Sequence, residues 1–197
     1  MAGFWRTDFD DSKWSMLPVP SNGEMRGYGV PIYVNIRYPW PEPWEPPRVT
    51  LEDPNNTVNP YRRTFEVPSS WVGRRVVLTF DGVKSGSQVW VNGCWVGLGK
   101  NSRTPAEFDI PSFVSPGQNV LAVKNYQWCD GSYPEDQDFW RLSGIFREVY
   151  LWSPPQLHIR DFQVAHALRD RGAGGRSRSL CGGRKPDGHS RACRGRV

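Results

Sequence analysis

The chain has 197 residues, enough for one domain with a real core, and combines 13% aromatic residues with 20 glycines and 18 prolines. That mixture suits an all-β fold of short strands and frequent turns, and it argues against a helical bundle. No window of about 18 apolar residues occurs, which excludes a membrane-spanning helix, and Met1 to Trp14 is too polar for a signal peptide, so a cytoplasmic location without a membrane partner is expected. The net charge of +5 points to nucleic acid until it is mapped: residues 165–197 hold eight Arg and one Lys against two Asp, whereas the first 164 residues hold 16 basic and 18 acidic groups.

Residues 1–18 are set apart as a lead-in, and the domain is expected to run over 19–164. The segment "YPWPEPWEPPRVTLEDPNNTVNP" (38–60) contains too many prolines for a central strand. It is expected to be an ordered loop whose Trp40 and Trp44 cover a surface, because prolines preset an extended backbone and rings then gain burial. From Asn59 to Trp152, strand-like runs alternate with turns at the spacing of a β-sandwich. "YRRTFEV" (61–67) places Tyr61, Arg63, Phe65 and Val67 on one face, and "RRVVLTF" (74–80) places Val76, Leu78 and Phe80 on one, as half-buried strands do. "VWVNGCWVG" (89–97) predicts a hairpin, since Asn92-Gly93 supplies the two positive-φ residues of a type I′ turn. Further strands are expected at 106–110, 119–128 and 145–152, with a turn at "SPGQN" (115–119), and no helix of two turns or more. Trp90 and Trp95 flank the hairpin turn and are expected to pack in or on the sheet. Cys94, in a strand, and Cys129, beside a loop, are expected to be small buried residues.

All the Trp, Tyr and Phe residues lie before residue 165. The tail from 165 to 197 is Arg, Gly, Ala and Ser without helical or strand periodicity, so it is expected to be disordered. Two readings of that tail stay open. It is a basic arm for nucleic acid, or it is the product of a shifted reading frame, which the abrupt change of composition favours.

Five segments carry a resemblance: "VPSN" (19–22), "PIYVNIRYPW" (31–40), "FDGVKSGSQVWVNGCWVG" (80–97), "SRTPAEFDI" (102–110) and "DGSYPEDQDFWRLSGIFREVYL" (130–151). From about Phe9 to Val164 the chain resembles the amino-terminal sugar-binding domain of glycoside hydrolase family 2, in particular that of the large β-galactosidases. It departs from the family at Gly23, where the family commonly has Trp. The resemblance implies a jelly-roll β-sandwich like the galactose-binding domains. The activity it implies for a full-length parent is hydrolysis of terminal non-reducing β-D-galactose residues, with retention, by two glutamates whose carboxyls lie roughly 5 to 5.5 Å apart. Those glutamates belong to a (β/α)₈ barrel far downstream in the family, so no catalytic residue is assigned here and the chain is expected to be a catalytically incomplete fragment. The implied partners are a β-galactoside and the remaining β-galactosidase domains or a complementary fragment.

Two residues match positions that the family uses on the sugar. Asn35, the amide of "YVN", is implied to hydrogen-bond galactose hydroxyls, since an amide both donates and accepts. Asp138, the second Asp of "EDQD", is implied to bind sugar hydroxyls and a sodium ion. A magnesium ion is implied for the full-length parent only, and no cofactor is expected for the fragment alone. Glu135 and Asp136 then orient the loop. Taken by residue type alone, Asp138 reads as a solvated acid in a polar loop and Asn35 as a turn-stabilising amide before "RYPWP". Two other functions also fit the composition, a stand-alone lectin-like galactoside-binding module and, less well, a nucleic-acid binder acting through the tail. Salt separates them, because phosphate contacts weaken steeply as salt rises.

Overall fold

The computed structural model describes residues 2–33, 56–167, 176–184 and 190–195. Asn35 and the proline-rich segment up to residue 55, with Trp40 and Trp44, lie outside the described residues. Apart from three short 3-10 turns, the described regular elements are strands: β1 (Ile32–Tyr33), β2 (Val58–Val67), β3 (Val77–Phe80), β4 (Val83–Lys84), β5 (Gly86–Val91), β6 (Cys94–Gly99), β7 (Ala106–Asp109), β8 (Gly117–Tyr126), β9 (Trp140–Arg141), β10 (Gly144–Ile145), β11 (Val149–Trp152), β12 (His158–Ala167), β13 (Arg176–Arg184) and β14 (Ser190–Gly195). They fall into two compact units, Met1–Trp152 and Ser153–Val197.

In the first unit a four-stranded antiparallel sheet runs β2-β8-β5-β6, and a three-stranded one runs β11-β3-β7. The chain passes back and forth between them: β2 in the first, β3 in the second, β5 and β6 in the first, β7 in the second, β8 in the first. This is the jelly-roll sandwich expected from the sequence. Asn92 and Gly93 turn β5 into β6 with φ of 50° and 80°, as the hairpin motif requires. Val89 and Val91 from β5, Val123 from β8, and Leu78 and Phe80 from β3 meet between the sheets with Val76, Ile110 and Ile145. Each such side chain contributes about 1.5–3 kcal/mol by leaving water.

Several expectations need correction. β3 is buried at all four positions, not on one face, because it is the central strand of its sheet and the Trp152 indole covers Thr79, donating to its Oγ1 at 3.0 Å. β2 begins at Val58 and includes Pro60, which a sheet edge tolerates, and β2 is an edge strand. Cys94 is exposed on edge strand β6, and Cys129 is only part-buried. The largest change concerns the lead-in. Phe4 is 1% exposed and packs with Trp90 and Ala122 on the outer face of the four-stranded sheet, with Trp5, Phe9 and Trp14 around it. Trp5 stacks on Trp90 at 5.3 Å, and Phe4 meets the same indole edge-on at 5.6 Å. The segment folds over Arg62, whose side chain is 5% exposed. That guanidinium donates to the Phe4 and Arg6 carbonyls and, at 2.8 Å, to Asp11 Oδ2.

In the second unit β12, β13 and β14 form a three-stranded antiparallel sheet. Two stretches of the tail, Arg176–Arg184 and Ser190–Gly195, are therefore paired where no regular structure was expected. Ladder pairing uses only backbone N–H and C=O groups, so a composition without apolar periodicity does not forbid it.

Candidate functional site

The acidic loop between β8 and β9 is fixed at several points. A 3-10 turn, Asp130–Ser132, opens it, with Ser132 Oγ accepting from the Cys129 N–H at 3.0 Å. Glu135 Oε1 accepts the Ser102 N–H at 2.8 Å. Asp136 pairs with Arg141, both side chains being more than nine-tenths buried. Beyond β9, Ser143 gives its N–H and its hydroxyl to the carboxylate of Glu24, a residue only 5% exposed. A buried carboxylate needs such donors, because its charge loses the water that would otherwise solvate it. Glu135 and Asp136 thus hold the loop, as the sequence suggests.

Asp138 is used differently. It is exposed at the end of the loop, and its Oδ1 accepts a 2.7 Å hydrogen bond from Tyr33 Oη. The pairing of β1 with β9 brings Tyr33 there, by setting it opposite Trp140 in register. The two rings lie 5.6 Å apart, and both stay about half exposed. The hydrogen bond to Asp138 pushes the Tyr33 phenol above the usual tyrosine range. Next to Asp138 in the chain, the Phe139 ring is met by three cations: Lys84 Nζ at 4.1 Å, the Arg103 guanidinium at 4.6 Å and that of Arg141 at 5.3 Å. Burial, and then the charges of Arg103 and Arg141, press the Lys84 ammonium down to about 8.

Of the two residues singled out in the sequence, Asp138 therefore stands at an open, structurally anchored position, and Asn35, two residues beyond Tyr33, lies outside the described residues. Sequence reasoning missed Tyr33, Phe139 and Lys84. The contacts of Tyr33 and Lys84 with this loop span long sequence separations, which no local pattern signals. What the arrangement offers a ligand is one carboxylate oxygen without a partner among the described residues, beside two half-exposed rings. Such an oxygen accepts from sugar hydroxyls or ligates a hard cation. Among the described residues no three His, Cys, Asp or Glu side chains cluster as a metal site.

Fold and site together define a β-sandwich that presents a held acidic loop at the end of its sheets. Solved structures share that fold: a Bacteroides uniformis β-glucuronidase superposes with a TM-score of 0.71 at 19% identity, over 100% of this chain and 24% of the other. The sequence then specifies the family. The model of the glycosyl hydrolases family 2 sugar binding domain matches residues 2–155, and the chain belongs to that family. It is 47% identical over 170 residues to a β-galactosidase of Priestia megaterium, covering 85% of this chain. It is 46% identical over 161 residues to one of Vibrio cholerae, covering 82%. The chain spans only about 16% and 15% of the lengths of these two relatives.

Proposed function

We propose that this chain is the part of a β-galactosidase that delivers one wall of the galactoside site, with Asp138 as its contact to the sugar. The observation that carries this reading is the contrast within one loop. Glu135 accepts the Ser102 backbone N–H on one oxygen and has the other buried, and Asp136 is paired with Arg141, whereas Asp138 is exposed, with Oδ1 held by Tyr33 and Oδ2 without a partner among the described residues. Membership of the sugar-binding family and near-half identity to β-galactosidases support a galactoside as the substrate class. Asn35 is the second proposed sugar contact. The open oxygen of Asp138 is also the group that would ligate a sodium ion, the remaining ligands coming from outside the described residues. No residue here is assigned to magnesium.

Hydrolysis with retention requires two carboxyls roughly 5 to 5.5 Å apart, and this chain is proposed to supply binding and not that pair. Binding by the chain alone is weak, because one carboxylate and one amide leave most of a pyranose in water. The test is an NMR titration of the 197-residue chain with methyl β-D-galactopyranoside, in sodium chloride and again in choline chloride. Saturable shifts at Asp138 and its neighbours, larger with sodium, are expected. Shifts that never saturate, or that a glucoside reproduces equally, would overturn the assignment.

A further inference from the structure

We propose that Tyr33 is the positioning residue of this site: its phenol fixes the Asp138 carboxylate so that one oxygen, Oδ2, is turned to the ligand. The inference rests on the reading of Asp138 as a sugar contact and names what makes that contact directional. An exposed aspartate ordinarily samples several rotamers, and a ligand that needs one of them must bear the cost of fixing it. Here the 2.7 Å hydrogen bond occupies Oδ1. A phenol donating to a carboxylate is a charge-assisted bond, stronger than one between neutral groups.

The donor is itself held in place. Tyr33 sits in register with Trp140 across the β1–β9 pair, and its ring rests 5.6 Å from the indole. The residue that follows Asp138 is also restrained, since the Phe139 ring faces Lys84, Arg103 and Arg141. The Asp138 side chain is thus held by a group 105 positions away in the chain. Tyr33 and Trp140 remain 51% and 54% exposed. Rings that served only to pack would be expected to bury more of their surface.

The test compares the full 197-residue chain with Tyr33→Phe and Asp138→Asn. Tyr33→Phe keeps the ring against Trp140 and removes only the phenol oxygen. Its affinity for methyl β-D-galactopyranoside is expected to fall about tenfold, the value of one charge-assisted bond, with the thermal midpoint unchanged. A titration of the Tyr33 ring resonances gives a readout that a merely structural role would not move: the phenol titrates above ordinary tyrosine in the parent chain and returns to the ordinary range in Asp138→Asn. Galactoside binding that is lost in Asp138→Asn but intact in Tyr33→Phe sinks this inference alone. A Tyr33 titration that ignores Asp138→Asn also overturns it. A parent chain that binds no galactoside removes the reading of the site, and this inference falls with it.

Discussion

Arg62 and Asp138 are both charged and both held by groups distant in the sequence, yet the structure uses them in opposite ways. The Arg62 side chain is almost fully buried, and its guanidinium is aimed at two backbone carbonyls and the Asp11 carboxylate, all from the first 11 residues. Asp138 is exposed, and among the described residues Tyr33 alone holds it, through one of its two oxygens. A buried charge whose bonds are made within the fold is a structural part, and removing it releases the segment folded over it. A charge that is held but half open is built to meet something else, and the fold does not depend on it. Stability and ligand binding should therefore separate between the two regions.

The largest expected effect is at the packed face. Phe4→Ala should lower the unfolding free energy by about 4 kcal/mol, read by urea denaturation, because Phe4 is 1% exposed against Trp90 and Ala122. A loss below about 1 kcal/mol would return the first residues to the status of a lead-in. Arg62→Ala should cost about 1.5 kcal/mol, since it removes the donor to the part-buried Phe4 carbonyl, while the Arg6 carbonyl and the half-exposed Asp11 carboxylate regain water. An effect confined to a few tenths would erase the distinction between the two charges.

Lys84 lies between these extremes and adds a pH dependence. Its ammonium is pressed from the usual 10.5 to about 8, mainly by burial. Between those values the folded chain binds fewer protons than the unfolded one, so this residue makes stability rise with pH across that window. Below pH 8 both states carry the proton and the cost of holding the charge is constant. Lys84→Met removes that cost, so it should stabilise the chain below pH 8 by about 1 kcal/mol, allowing for the water that still reaches the group. The gain should shrink as pH climbs from 8 to 10.5. Denaturation midpoints of both proteins at pH 7, 9 and 10.5 check the sign, and a gap that widens with pH would contradict it.

How much of this was legible in the sequence follows from which signals are local. The Asn92-Gly93 turn, the alternating strands and the sandwich class are written in adjacent residues, and the structure contains them. The buried face formed by Phe4, Trp5, Phe9 and Trp14 is written there too, but its spacing matches neither a strand nor a helix period, so no pattern announces it. β3 reads as half-buried because a periodicity shows one face only, and the cover on the other face comes from Trp152, 73 residues from Thr79. Asp138 was found through the family motif. Its partner was not: Tyr33 is an unremarked tyrosine in a two-residue strand, and only the β1–β9 pairing sets it beside the acid. The Glu24–Ser143 anchor, 119 positions apart, is hidden for the same reason.

The smallest stability effect belongs to Asp138, and the most direct measurement combines that with binding. Asp138→Asn and the parent chain would be compared in one experiment for thermal midpoint and for affinity toward methyl β-D-galactopyranoside. The account predicts unfolding free energies within about 0.5 kcal/mol of each other and galactoside binding at least about tenfold weaker in the variant. Equal binding by both proteins, or a variant that loses binding only because it unfolds, would contradict it.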